Sequence, residues 1–329
     1  MRAQYEVAGL GNAIVDVIAA AGDDFLLQHN IAKGVMTLID DFRAEQLLRV
    51  LPPAQETAGG SAANTMAGLA SLGGKGLFVG KTKADRLGAS FADSLQSIGV
   101  HYTTKAAQSG PASACCLIVV TPDGHRSMNT FLGASREIAP SDINENDIAS
   151  AQILYVEGYL WDAPEAKAAI NKAMAAAKRA GRKVAFTLSD PFCVARWRDE
   201  FRALMADIDI LFANEEEAKA LFEVEEFDSV LQATRGWAGI AALTRSDKGC
   251  VVARDGEVHV IDAVPVARVV DTTGAGDQFA AGFLYGITHG KHLAESGRLG
   301  SLAAAEVISH YGARPDTSLS ALAANAGLL

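Results

Sequence analysis

The apolar positions fall into two alternating patterns. Short β-branched or alternating runs occur at Tyr5–Leu10, Ile153–Glu157, Val184–Leu188, Ile208–Phe212, Ile240–Thr244 and Val264–Val270, and each reads as a strand. Stretches with helical spacing, such as Pro164–Ala180 and Glu215–Phe222, lie between the later runs. Strand–helix alternation from Gln152 onward implies a mostly parallel sheet with helices on both faces. Ligands in such sheets bind beyond the carboxyl ends of the strands. Asn12, Asn214, Thr244 and Asp271 all follow strand-like runs. Leu293–Leu329 is Ala- and Leu-rich and reads as mostly helical.

The first half departs from this alternation. Leu117–Val120, the turn Thr121-Pro122-Asp123-Gly124 and Arg126–Phe131 read as a β-hairpin. A hairpin does not fit a strand–helix–strand succession, so it predicts a small β-sheet standing off the main body. Strand-like pieces at Ala13–Ala19 and Val35–Ile39 would complete it. The expectation is therefore one α/β domain over residues 1–329, with a subdomain drawn from about 13–40 and 112–132. No internal repeat, low-complexity tract or long linker divides the chain.

Composition narrows the function classes. The chain has 329 residues, 49% hydrophobic and 21% charged, ample for a buried core. A net charge of −10 argues against nucleic acid or an anionic membrane as main partner. The four cysteines (115, 116, 193 and 250) form no Cys-x-x-Cys pair, so neither a disulfide framework nor a zinc site is indicated. The chain opens directly into a strand-like run and has no apolar stretch long enough to span a bilayer, so a soluble cytoplasmic protein is expected.

The densest chemistry lies at Asp271-Thr272-Thr273-Gly274-Ala275-Gly276-Asp277-Gln278-Phe279. The run Val264–Val270 precedes it, and Phe279, Gly282, Phe283, Gly286 and Ile287 continue it with helical spacing. Gly274, Ala275 and Gly276 leave backbone N–H groups accessible at a helix N-terminus, where anions bind. An acid at Asp277 fits a phosphoryl-transfer site, in which it accepts a proton from a substrate hydroxyl. A plain helix cap explains the same residue. A second such turn, Gly59-Gly60-Ser61-Ala62-Ala63-Asn64-Thr65, opens a helix of small residues, Met66–Leu72, closed by Gly73-Gly74. Read alone, it serves tight helix packing. Two familiar nucleotide motifs are absent. Gly9-Leu10-Gly11-Asn12 lacks its third glycine because Ile14 stands there, and Gly74-Lys75 is followed by Gly76 rather than Ser or Thr.

The run Asp-Thr-Thr-Gly-Ala-Gly-Asp-Gln-Phe-Ala-Ala-Gly-Phe at 271–283 resembles the C-terminal motif of the ribokinase-like (PfkB) family of carbohydrate and nucleoside kinases. The Gly59–Asn64 turn resembles that family's N-terminal motif. The resemblance spans residues 5 to 315. It implies a ribokinase-like, mostly parallel sheet with helices on both faces plus a small β-sheet lid over the acceptor. It implies that Asp277 is the base, with Gly274, Ala275 and Gly276 as the anion hole. Gly59, Gly60, Ser61 and Asn64 would hold the acceptor beside Asn12 and Asp16, since a carboxylate suits vicinal hydroxyls. On the ATP side stand Asn214, Thr244, Asp247, Gly249, Thr273, Gly274 and Gly276. Val264–Val269 and Ser309–Gly312 would flank the adenine.

Asn214-Glu215-Glu216-Glu217 matches the family's Asn-x-x-Glu element, so Glu217 is the candidate to hold Mg²⁺ through water. A helix cap with acids in its first turn explains the same residues. Arg126 would swing over the phosphates as the lid closes, or remain a solvated turn residue. The family often responds to a monovalent cation, K⁺ included, near the loop after Asp271. Two stretches resemble adenosine kinases. Thr187-Leu188-Ser189-Asp190-Pro191-Phe192 is similar to their Asn-Leu-Ser-Ala-Pro-Phe run, departing at Thr187 and Asp190. Arg126–Ala134 is similar to their lid strand, with Met128 and Leu132 against the purine and Tyr159 beside it.

The expected activity is transfer of the ATP γ-phosphate to the adenosine 5′-hydroxyl, a purine-salvage reaction. The alternatives are a sugar kinase of the same fold acting on ribose, fructose or a keto-deoxy acid, and a non-catalytic nucleoside-binding protein. A dinucleotide-dependent dehydrogenase is disfavoured by the broken glycine pattern. The protein would act as a monomer or a homodimer.

Overall fold

A computed structural model describes residues 3–329. Its strands are β1 (Tyr5–Leu10), β2 (Ile14–Ala20), β3 (Met36–Leu38), β4 (Ala54–Gly59), β5 (Gly76–Val79), β6 (His101–Tyr102), β7 (Ala114–Val120), β8 (Arg126–Phe131), β9 (Ala151–Glu157), β10 (Lys183–Thr187), β11 (Ile210–Asn214), β12 (Ile240–Thr244), β13 (Cys250–Arg254) and β14 (Glu257–Ile261). Its helices are α1 (Asp23–Gln28), α2 (Asp41–Val50), α3 (Ser61–Ser71), α4 (Arg86–Ser97), α5 (Glu145–Ala149), α6 (Pro164–Arg179), α7 (Pro191–Leu204), α8 (Glu215–Phe222), α9 (Phe227–Ala233), α10 (Ala275–Thr288), α11 (Leu293–Val307) and α12 (Leu319–Asn325).

The fold is α/β. The large sheet runs β14-β13-β12-β11-β10-β9-β1-β5-β6. It is parallel from β12 to β6; β13 pairs antiparallel with both β12 and β14 and so runs against the other strands. The near-continuous apolar runs of β1, β9 and β11 follow from this position, since helices cover both faces. One face packs under α3 and α10, with Met66, Phe279 and Phe283 at its centre. The other packs under α6, α7 and α8, through Ile170, Phe201 and Leu221. All four cysteines are free and buried. Among the described residues no helix is long and apolar enough to cross a membrane.

The second sheet has the order β3-β8-β7-β2-β4. Its back face (Val15, Val17, Cys115, Leu117, Val119) joins the core through Ala44 and Leu47 of α2 and Leu87 and Phe91 of α4. Strand alternation turns Asp16, Cys116, Ile118, Met128 and Thr130 to the opposite face, and Met36 and Leu38 share it by pairing with Met128 and Thr130. The hairpin β7–β8 turns through Thr121–Gly124, where Gly124 has φ +85°. β4 was not among the pieces expected for this sheet. Its sequence, Ala-Gln-Glu-Thr-Ala-Gly, lacks the β-branched content that marks a strand.

One expected element is absent. Val264–Val270 does not form a strand, and residues 262–274 are an irregular segment. Ile261 ends the edge strand β14, and Pro265 has no N–H to add to a ladder. The segment is held instead by Val270 N and Asp271 N, which donate to Ile308 O. Asp271 therefore does not follow a strand directly. The run expected at Ile208–Phe212 is shifted, so Asn214 is the last residue of β11.

Candidate active site

Two helix N-termini meet at the carboxyl ends of the central strands. α10 begins after Gly274, whose φ of +80° suits glycine, and α3 begins after Gly60, with φ +95°. The two helices pack so closely that a Cβ on Gly68 would run into Gln278 and Ala281. Gln278 fastens this contact, its Nε2 donating to Asn64 O at 3.0 Å and Ala313 O at 2.9 Å.

Asp277, in the first turn of α10, thereby faces the first turn of α3. Its Oδ1 accepts from Ser61 Oγ at 2.6 Å and its Oδ2 from Asn64 Nδ2 at 3.1 Å. Burial pushes its pKa up to about 6, with the Ser61 and Asn64 hydrogen bonds opposing the rise. Such a carboxylate is charged at neutral pH and basic enough to take a proton. Asn64 Oδ1 is buried with no partner among the described residues. At Gly276 an added Cβ would meet nothing within 4 Å, so the start of α10 opens onto free space.

A second acid, unremarked in the sequence motifs, holds the floor of this cleft. Glu157, at the end of β9, is fully buried. Its Oε1 accepts from Asn12 N at 2.8 Å and Asn12 Nδ2 at 2.5 Å, and its Oε2 from Ala62 N at 2.9 Å. Burial raises its pKa to about 7 against those bonds. Asn12 is thus tied on both sides, since its Oδ1 accepts from Ser135 Oγ at 2.9 Å. The signal in the sequence was a lone acid closing an otherwise apolar strand.

Asp16 lies on the cleft-facing side of the small sheet, directly beside Gly59, where a Cβ would strike its carboxylate. Burial lifts its pKa to about 6, opposed by Arg314 and then Arg126. Met128 shares that face with Met36 and Leu38, which are 45% and 61% exposed and were not singled out in the sequence. Leu132 follows β8, its carbonyl 2.5 Å from Ser135 Oγ and sharing that hydroxyl's one hydrogen with Asn12 Oδ1. The Tyr159 and Phe192 rings lie 6.2 Å apart, each about two-fifths exposed.

Arg126 is not a solvated turn residue. It is ion-paired with Asp271, and the two side chains are 9% and 7% exposed. Asp271 also accepts from Thr273 N at 3.0 Å, Thr273 Oγ1 at 2.7 Å and Gly312 N at 3.0 Å. Burial opposes ionisation there, but the Gly312 and Thr273 hydrogen bonds and the Arg126 charge hold the carboxyl below its ordinary value.

The ATP-side candidates are spread along the strand ends. Asn214 and Thr244 are register partners at the ends of β11 and β12. Asp247 is exposed, and Gly249 has φ +77°. Asn214 and Glu217 form a capping box: Glu217 N donates to Asn214 Oδ1 at 2.8 Å, and Asn214 N and Nδ2 donate to the Glu217 carboxylate at 3.0 and 2.7 Å. Burial raises the Glu217 pKa to about 7, and Asp190 adds to the rise. Among the described residues no group of three or more His, Cys, Asp or Glu is placed to hold a metal ion. Glu217 has spare lone pairs for water, so it fits a hydrated Mg²⁺ as an outer partner and not as a cage.

The pfkB family carbohydrate kinase profile matches residues 35–319. The crystal structure of adenosine kinase from Sinorhizobium meliloti is 48% identical, with a TM-score of 0.89 over 98% of this chain and 100% of that one. That of a probable sugar kinase protein from Rhizobium etli CFN 42 is 47% identical, with a TM-score of 0.91 over 99% and 100%. Adenosine kinase 1 of Arabidopsis thaliana is 26% identical over 331 residues, 92% of this chain and 94% of that protein. These relations run the length of the chain and include both glycine turns. The chain belongs to the PfkB family of carbohydrate kinases; it is a kinase that takes ATP as co-substrate and is similar to adenosine kinases.

Proposed function

We propose that this kinase moves the γ-phosphoryl group of ATP to the 5′-hydroxyl of adenosine, giving AMP and ADP. The observation that carries the reading is the convergence of Asp277, Ser61 and Asn64 between two helix N-termini, beneath a sheet face bearing Met36, Leu38 and Met128. A purine needs flat apolar walls, and that face with Tyr159 and Phe192 supplies them. The 48% identity to the Sinorhizobium meliloti adenosine kinase over nearly the whole chain supports the same acceptor.

In this reading the small sheet is a lid. The 5′-hydroxyl attacks the γ-phosphorus in line, the bond to the β,γ-bridging oxygen breaks, and Asp277 receives the hydroxyl proton. The Gly274, Ala275 and Gly276 amides face the transferring group at the positive end of α10. Gly59 and Gly60 admit the acceptor backbone-close, and Asp16 accepts its ring hydroxyls. Asn214, Thr244, Asp247, Gly249 and Thr273 border the nucleotide. Mg²⁺, when bound near Glu217, neutralises phosphate charge. Arg126, now on Asp271, is within the lid hairpin and is free to exchange that partner for phosphate oxygens as the lid closes.

The second reading is a sugar kinase, favoured by the 47% identity to the Rhizobium etli probable sugar kinase. ADP release from Mg·ATP, run with adenosine, inosine, ribose and fructose in parallel and repeated with Asp277→Asn, decides between them. Turnover on adenosine, lost in the variant, is expected. Turnover on a sugar alone would refute the adenosine reading, and no turnover with retained adenosine binding would point to a non-catalytic nucleoside binder.

A further inference from the structure

The acceptor side of the cleft contains a cation outside every motif. Arg314 lies between α11 and α12. Its neighbour Ala313 is fixed against α10, because its carbonyl accepts from Gln278 Nε2 at 2.9 Å and its Cα stands where a Cβ on Gly274 would go. From there the Arg314 side chain reaches α4, with Nη1 donating to Ser94 Oγ at 3.2 Å. Ser94 Oγ also accepts from Ala58 N at 3.1 Å, in β4, the strand that pairs Thr57 with Asp16. The guanidinium is thereby tied through Ser94 to Ala58, whose chain neighbour Gly59 lies against the Asp16 carboxylate.

Both partners have unused valence. Arg314 Nε and Nη2 are buried with no partner among the described residues. Asp16 makes no hydrogen bond or ion pair among them, and its oxygens are not closed off. Of the charges facing Asp16, Arg314 acts most strongly, ahead of Arg126 on β8 and Asp277 on α10; Cys116 on β7 also faces it. Buried donors call for acceptors. Asp16 and Arg314 form no ion pair, and a hydroxyl taken between them would donate to the carboxylate and accept from the guanidinium.

We propose that Arg314 is a specificity-determining residue which, with Asp16, reads a vicinal diol on the acceptor. Asp16 takes the hydroxyl hydrogens and Arg314 donates to the hydroxyl oxygens. The proposal rests on the acceptor-side reading above and adds a requirement to it: the acceptor carries a ribose edge and not a deoxyribose edge.

The test compares wild type, Arg314→Met and Arg314→Lys on adenosine against 2′-deoxyadenosine, and on ribose against 2-deoxyribose. Initial rates are measured with ATP, and ligand-induced shifts in melting temperature without it. Arg314→Met is expected to lose about 10- to 100-fold in kcat/KM on the diol acceptor, the scale of a hydrogen bond to a charged group. It should lose little on the deoxy acceptor and keep its KM for ATP, and Arg314→Lys should recover part of the loss. Equal losses on both acceptors, or none, would overturn the proposal while leaving the kinase reading intact. If wild type phosphorylates no acceptor, the phosphotransfer reading fails and the melting shifts decide: a diol preference abolished by Arg314→Met sustains the proposal, and its absence ends it.

Discussion

Replacing Asp277 by Asn should make the protein a poorer catalyst and a more stable fold. A carboxyl moved from 3.8 to about 6 by burial carries about 3 kcal/mol of penalty in its ionised form. The group is open on its cleft side, which trims the figure to about 2 kcal/mol. An Asn side chain still accepts from Ser61 Oγ. Its new N–H₂ group faces Asn64, whose unpaired Oδ1 can turn to accept from it, so no hydrogen bond need be lost. The sign follows from proton binding. Between pH 4 and 6 the folded wild type holds a proton that the unfolded chain has released, so wild-type stability falls across that window as pH rises. The variant does not titrate there. The two should melt together near pH 4 and separate above pH 6. At about 0.7 kcal/mol/K for a chain of this length, 2 kcal/mol corresponds to roughly 3 °C. ADP release should fall by about 10²–10⁴-fold, the contribution of a general base, and the wild-type rate should rise through pH 6. Thermal melts of both proteins from pH 4 to 8, with rates alongside, check both halves. A variant less stable than wild type at pH 8, or a melting difference independent of pH, would refute the burial argument.

Glu157→Gln puts an N–H₂ where Asn12 N and Nδ2, or Ala62 N, already donate, so at least one donor is stranded; the loss of about 1–3 kcal/mol should show by denaturant titration at pH 5, where wild-type Glu157 is uncharged, and shrink towards pH 8 as the wild type takes on its buried charge. Gly282→Ala drives a Cβ into the Leu299 and Gly300 backbone, so melting should fall by the equivalent of about 1–3 kcal/mol, while activity at low temperature remains. Gly59→Ala directs its methyl at the Asp16 carboxylate; initial-rate kinetics should show a raised KM for the acceptor with the KM for ATP unchanged.

The sequence by itself determined most of the main sheet and where its chemistry would lie. Buried parallel strands need apolar runs, and helix N-termini near a ligand need glycine, so Ile153–Glu157 and Gly274–Gly276 were legible as local patterns. The Val264–Val270 run misled because alternation records what a residue can do, not whether a sheet edge is there to receive it. β4 was missed because its pairing with β2 supplies what its own composition lacks. Tertiary structure alone decided the partnerships. Ser61 and Asp277 are 216 positions apart, Asn12 and Glu157 are 145 apart, and Arg126 meets Asp271 across the same distance in the chain. None of these pairs leaves a trace in local periodicity. Charge balance in a buried cleft depends on which groups the fold brings together, and Arg314 beside Asp16 is legible only once α4, β4 and the segment after α11 are packed.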